Sequence, residues 1–378
     1  MSDLTLLPSY DLGPGTLSDV PATLQALGLN GAVLVVADPI CAALPAGARL
    51  MEELGARARL FTPSAGEPSA ADIETAAAQA RRMGAGAVIG LGGGTALDIA
   101  KVASACAVGA PDPDVYALCQ TPLPAATLPK ILIPTTAGTG SEANGTAIFS
   151  NRSGKKLWVY GPELKPVRAV LDPDLTTTLP AHLVAWCGLD ALVHAFEACT
   201  NANASDGCQP FALEALRLIA GAIETAGAPG KNQARADMLL GSFYAGYAIE
   251  NCGTSVAHLI SHALASKAPI HHGLATALAF EATLPWVTLQ GGPRLAAACD
   301  ALGTTVTDLP KFISHLMDRL GVVRALPPAF ADLSPRALAE EMRAKEHAPM
   351  RNATLPHPTD QDLDGLAAKL LSAVKVPA

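Results

Sequence analysis

The 378-residue chain has no Cys-x-x-Cys pair; its eight cysteines are scattered. That rules against a cysteine zinc knot and against a disulfide framework. Basic residues are in deficit as well: Lys plus Arg number 26 against 34 Asp plus Glu, a net charge of −8. A nucleic acid or an anionic membrane is therefore not the expected partner. No uninterrupted apolar run reads as long enough to span a bilayer. The opening MSDLTLLPSYDLGPG lacks a basic segment, an apolar segment and a cleavage site in series, so no signal peptide is expected. Internal repeats and low-complexity tracts are missing too. With 50% apolar residues the chain has ample material for buried cores, and its length suits two domains or three small ones. The expectation is a reduced, cytoplasmic, enzyme-sized protein.

The first half alternates. GAVLVVAD at 31–38 is a continuous apolar run ending in an acid, as in a buried parallel strand. A helical stretch from Ala42, a possible strand at 59–62 and a helix capped by Ser69 follow. GAVIGLG at 86–92 is a strand and TALDIAKVASACAVG from Thr95 a helix; ILIPTT from Ile131 and RAVLDP at 168–173 are further strands. Between them TAIFSNRSGKKLWVYG reads as a hairpin. This rhythm predicts a parallel sheet with helices on its faces. After about residue 178 the apolar spacing is helical throughout. Two domains are expected: α/β over 1–178 and all-helical over 179–378.

Three glycines, Gly92, Gly93 and Gly94, join a buried strand to a helix. Such a turn lets backbone approach a phosphate, with helical N–H groups facing the anion. It is not the G-x-G-x-x-G fingerprint, since Thr95 follows the triplet. Asp38 ends its strand where a carboxylate can accept from both ribose hydroxyls of NAD and repel a 2′-phosphate; an ordinary helix-capping acid is the plainer alternative. A second small-residue loop, PTTAGTGSEAN, offers Thr135, Thr136 and Thr139. Taken singly it could be a surface loop; two such loops leaving neighbouring strand ends suit a crevice.

Four of nine histidines lie within AHLISHALASKAPIHHG: His258, His262, His271 and His272. His258 and His262 are four apart on one helical face, as are Asp190 and His194 in GLDALVHAFEA. Two helices carrying such pairs can build an inward-facing metal site. One carboxylate with several imidazoles suits Fe²⁺ or Zn²⁺ and disfavours Mg²⁺ or Ca²⁺. Spacing leaves open which of the four histidines take part.

GGGTALDIAK, PTTAGTGSEAN, GLDALVHAFEA and the histidine cluster, in that order, resemble the iron-containing alcohol dehydrogenase family over nearly the whole chain. The resemblance implies an α/β N-terminal dinucleotide-binding domain with a parallel sheet and an all-α C-terminal domain, the dehydroquinate synthase-like architecture. It implies Asp190, His194, His258 and His272 as metal ligands, with His262 near the substrate. It places the cofactor on Asp38, Gly93, Gly94, Thr95, Asp98, Thr135, Thr136, Thr139, Ile148 and Lys156, with Asp98 toward the nicotinamide. Departures from the family pattern are Thr95 for Ser, Ala263-Leu264-Ala265 for Pro-Leu-Gly, and His271 for Pro. These bear on the substrate more than on the chemistry, and His271 could compete as a ligand.

The expected reaction is reversible hydride transfer between a small or primary alcohol or aldehyde and NAD, with NADP disfavoured by Asp38. A divalent metal polarises the substrate oxygen and His262 relays a proton. A glycerol or polyol dehydrogenase, a maleylacetate reductase, and a non-enzymatic regulatory nucleotide-binding module are the alternatives. A homodimer is expected, as closed two-fold dimers are the commonest assembly.

Overall fold

The structure, a computed structural model, describes residues 4–375. Its strands are β1 (Tyr10–Leu12), β2 (Ala32–Ala37), β3 (Ala58–Phe61), β4 (Ala85–Gly92), β5 (Lys130–Pro134), β6 (Thr146–Ser150), β7 (Lys156–Tyr160) and β8 (Arg168–Leu171). Six form one sheet in the order β1-β8-β5-β4-β2-β3, every pairing parallel. The antiparallel pair β6 and β7 is the predicted hairpin.

The apolar runs are continuous because both faces of the sheet are covered. Successive residues of a strand point to opposite faces, and the two cores divide accordingly. Leu34, Val36, Val88 and Leu132 join the core on one side; Val33, Val35, Ile89, Ile131 and Ile133 join that on the other. β1 escaped the sequence reading: three residues, Tyr-Asp-Leu, are too few to show a pattern. The helical stretch read from Ala42 is in fact two helices, Pro39–Ala43 and Pro45–Leu54. Leu44 between them is extended, at φ −63° and ψ 150°, because the ring of Pro45 disfavours helical backbone in the residue before it.

By packing, the chain forms two compact units. One holds Leu6–Leu179 together with Pro229–Phe243; the other holds Pro180–Ala228 and the chain from Tyr244 onward. Segment 229–243 thus joins the α/β unit although its sequence is helical and lies well past 178.

The helical unit is organised around helix Ala181–Thr200, which packs against Gln209–Ala222 and His272–Val287. At 20 residues, with mean hydropathy 1.3 over its most apolar window, this helix is long and apolar enough to cross a membrane, although His182, Asp190, His194 and Glu197 interrupt its apolar run. Yet 78% of that stretch is buried within the protein, and it buries Asp190, His194 and Glu197. It is the core helix of its unit. Helix His272–Val287 approaches it through Gly273: a Cβ there would lie 2.4 Å from the Trp186 carbonyl oxygen. Only glycine allows the two backbones to come so close, and this contact seats His272 beside Asp190.

Candidate active site

In the α/β unit, Asp38, Gly93, Gly94, Thr95, Thr135, Thr136 and Thr139 follow the carboxyl ends of β2, β4 and β5, whereas Ile148 and Lys156 lie in β6 and β7. Gly92, φ +152°, adopts backbone that side chains rarely tolerate, and its α-carbon faces the Asp38 side chain. Gly93 caps helix Gly94–Cys106 without any side-chain hydrogen bond to the first turn, where N–H groups have no partner within the helix. The two small-residue loops touch: a Cβ on Gly93 would stand 3.5 Å from Thr136 Oγ1, and one on Gly94 2.9 Å from Thr139 Cγ2. A dipolar helix end rimmed by threonines is a ready anion site.

The other predicted contacts have partners within the protein. Asp38 Oδ1 accepts from the Ile40 N–H at 2.8 Å, so Asp38 does cap the next helix while standing beside the glycine turn. Thr95 Oγ1 donates to the Gly66 carbonyl and Thr135 Oγ1 meets Cys41 Sγ. Asp98 ties the loop to the hairpin: Oδ1 accepts from the Ser141 hydroxyl, Oδ2 from the Ile148 N–H. Burial raises its pKa despite the Lys101 ammonium nearby. Lys156 Nζ pairs with Glu67 at 3.0 Å.

In the helical unit, Asp190, His194, His258 and His272 offer ligand atoms that all lie within 4.8 Å of one another. Asp190 Oδ1 is 3.4 Å from His272 Nε2 and 3.6 Å from His258 Nε2; Oδ2 is 3.9 Å from His194 Nδ1. A tetrahedral cation bonded at about 2.1 Å would set ligand atoms roughly 3.4 Å apart. Asp190 Oδ1 and His258 Nε2 are buried and make no hydrogen bond. Such orphaned atoms are costly unless something else satisfies them, and a divalent cation fits both the spacing and the donor set.

Burial alone would raise Asp190, but the flanking His272 and His194 hold it far below the usual carboxylate range. Burial would likewise lower His258; Glu197 and Asp190 outweigh it and bring that imidazole up to about 9. Glu197 is the residue that sequence reasoning missed. Its carboxylate accepts from the Ser255 and Ala257 N–H groups and from His258 Nδ1, each at 2.7 Å. With Nδ1 donating there, Nε2 is the nitrogen turned to Asp190, and it is the one that would offer a lone pair to a cation once its own proton is displaced. Burial opposes the charge on Glu197, yet His258 keeps its pKa lowered.

The structure separates the four clustered histidines. His262 stays out of the four-residue group, its ring 5.5 Å from that of His272 and 6.2 Å from that of His347. His271 is exposed, its ring 5.1 Å from Trp186. Lys267, in the loop between His262 and His272, pairs with Glu341 at 2.5 Å.

The iron-containing alcohol dehydrogenase family matches residues 8–173, and the family's C-terminal part matches 184–334. The chain belongs to the iron-containing alcohol dehydrogenase family. Among similar proteins, the probable alcohol dehydrogenase EutG of Escherichia coli K12 is 34% identical over 83% of this chain and 81% of its own. Long-chain-alcohol dehydrogenase 1 of Geobacillus thermodenitrificans NG80-2 is 35% identical over 78% and 76%. In structure, the sulfoacetaldehyde reductase of Bifidobacterium kashiwanohense, solved with NAD⁺, superposes with TM-score 0.89 at 25% identity, covering 98% of this chain and 99% of that one. As an iron-containing alcohol dehydrogenase the protein is an oxidoreductase, a metal-dependent enzyme of alcohols and aldehydes. A maleylacetate reductase, a polyol dehydrogenase or a silent nucleotide-binding module is not favoured by these relatives.

Proposed function

We propose that the protein is an NAD-dependent dehydrogenase of small or primary alcohols in which Asp190, His194, His258 and His272 hold one divalent cation, Fe²⁺ or Zn²⁺. The observation that carries this is the quartet, buried at Asp190, His194 and His258 and half-buried at His272, with the unsatisfied buried atoms Asp190 Oδ1 and His258 Nε2 at its centre. When bound, the cation supplies Lewis acidity to the substrate oxygen while the nicotinamide carries the hydride. Everything else falls to the chain. Gly93 and Gly94, at the open helix end, receive the pyrophosphate, with Thr95, Thr135, Thr136 and Thr139 around it. Asp38 accepts from the adenosine ribose and repels a 2′-phosphate, which sets NAD above NADP. Asp98, fixed by Ser141 and Ile148, shapes the nicotinamide end of the pocket together with Lys156. His262, next to the quartet and outside it, moves the substrate proton toward solvent.

The reading extends to a cytoplasmic homodimer that acts on small molecules, without nucleic acid or membrane. The acidic balance and the eight free thiols support it, and light scattering at micromolar concentration tests the dimer. The decisive experiment pairs elemental analysis with activity on the same samples. Alanine at Asp190, His194, His258 or His272 should lower metal and turnover together. His262→Ala should retain metal and change the pH dependence of the rate; His271→Ala should retain metal. Loss of metal in the last two, with retention in His258→Ala or His272→Ala, overturns the assignment.

A further inference from the structure

Two cysteines separated by 44 residues meet in the helical unit: Cys208 Sγ and Cys252 Sγ are 2.7 Å apart. Both are free thiols and buried, at 0% and 3% exposure. Their surroundings differ. Cys208 is the N-cap of helix Gln209–Ala222, where the positive end of the helix favours a thiolate. The Ser205 hydroxyl donates to its sulfur at 3.4 Å. The Cys252 thiol and Ser205 hold its pKa below the usual thiol range despite burial. Cys252 closes helix Asn232–Cys252. Its carbonyl accepts from the side-chain amides of Asn201 and Asn203, at 3.2 and 3.1 Å. Three residues further on, Ser255 begins the turn whose N–H groups hold Glu197, and through Glu197, His258.

We infer that Cys208 and Cys252 form a peroxide-oxidisable dithiol site, closing to a reversible disulfide that braces the turn carrying Ser255 and Ala257. The oxidant is a small peroxide, since burial of both sulfurs disfavours a bulky disulfide reagent. The Cys208 thiolate attacks one oxygen of hydrogen peroxide, the O–O bond breaks and hydroxide leaves, becoming water with the proton that Cys208 had given up, and Cys208 is left as a sulfenic acid. Cys252 sulfur then attacks Cys208 sulfur; the S–O bond breaks, and the hydroxyl departs as water with the proton from Cys252. Two thiols lose two electrons and the peroxide becomes two waters. The effect on metal rests on the proposal that the quartet binds a cation; the cross-link does not.

The test uses the zinc-loaded enzyme, because zinc has no redox chemistry of its own. Hydrogen peroxide is added, remaining thiols are alkylated and peptides are mapped. The expected product is a Cys208–Cys252 cross-link, reversed by dithiothreitol and absent from Cys208→Ser and Cys252→Ser. The oxidised wild type should release zinc to a chelator severalfold more slowly than the reduced form. Wild type alone decides the chemistry should a variant not fold. Both thiols still alkylated after Cys41 and Cys119 have reacted overturns the site, as does Cys208 sulfinic acid beside a free Cys252. Equal zinc release with the cross-link formed overturns the bracing. A cross-link in a protein that never takes up zinc sinks the metal reading alone.

Discussion

Replacing Glu197 should damage both the fold and the proposed metal site, and the two effects are separable. Glu197 is 2% exposed and accepts three hydrogen bonds, from the Ser255 N–H, the Ala257 N–H and His258 Nδ1. Alanine leaves two buried amides unsatisfied, at about 1–3 kcal/mol each, and forfeits a charge-assisted bond worth about 1.5–3 kcal/mol. The low ends total about 3.5 kcal/mol. At roughly 2–4 °C per kcal/mol for a unit of this size, the apo-protein's melting temperature should fall by at least about 7 °C. Glutamine keeps the shape and one carbonyl acceptor, but turns an amide toward a donor, so it recovers part of that loss. Orientation of His258 is a different matter. Once Nδ1 loses its carboxylate, Nε2 is neither fixed in tautomer nor as basic. Loss of such a partner typically weakens metal binding about 10–100-fold. Calorimetry on the apo forms reads the first effect and chelator competition reads the second. If Glu197→Gln lowers the melting temperature while leaving metal affinity unchanged, Glu197 only ties the turn, and its role toward His258 is refuted.

Gly273→Ala would push a methyl to 2.4 Å from the Trp186 carbonyl, so helix His272–Val287 must retreat and carry His272 with it. We expect a cost of about 1–3 kcal/mol and weaker metal retention, read by calorimetry and elemental analysis; wild-type metal content would show that His272 is not placed by this contact. Asp38→Gly should narrow the preference for NAD over NADP, measured as the ratio of kcat/KM values. Glycine at a helix N-cap costs only a few tenths of a kcal/mol, so an unchanged ratio could not be blamed on misfolding. Burial, assisted by Lys101, lowers Lys130 from 10.5 to about 7. Between those values the unfolded chain binds a proton that the native one does not, so this group adds stability as pH rises, by up to about 1.4 kcal/mol per unit. Urea unfolding at two pH values in that window should show a shallower rise in Lys130→Met than in wild type; identical slopes would contradict the assignment.

The fold was legible because burial on both faces writes parallel strands as plain apolar runs. β2, β4, β5 and β8 lie within a residue or two of those runs. β1 was not legible, for it owes its strand pairing to β8, more than 150 residues away, rather than to any pattern in Tyr-Asp-Leu. Pro45 shows a different failure. Its effect on Leu44 is strictly local and could have been applied; the helical periodicity around it hid the break. Segment 229–243 is helical in sequence, as the helical unit is, and nothing in its composition says that it packs with the other unit.

The candidate site divides along a similar line. A cation restricts its ligands to a few residue types, so Asp190 and His194, four apart on one helix, stood out together with the cluster His258, His262, His271 and His272, and the family resemblance, not spacing, singled out His258 and His272. Periodicity alone would have paired His258 with His262, since both lie on one face of the same helix. The choice of His272 instead depends on how closely two helices approach, and that is set by Gly273 against Trp186. Glu197 belongs to a layer where no such restriction applies. It follows His194 by three residues, and in sequence nothing distinguishes it from a carboxylate at a solvent-facing helix end; the return of the chain at Ser255 and Ala257 makes it a buried acceptor. Cys208 and Cys252 carry the same lesson further. Their spacing signals nothing, because the bond between them would join two helices whose meeting is a property of packing. Chemistry that a ligand dictates is written in residue types, whereas chemistry that packing dictates is written in distances, and a single sequence displays only the first.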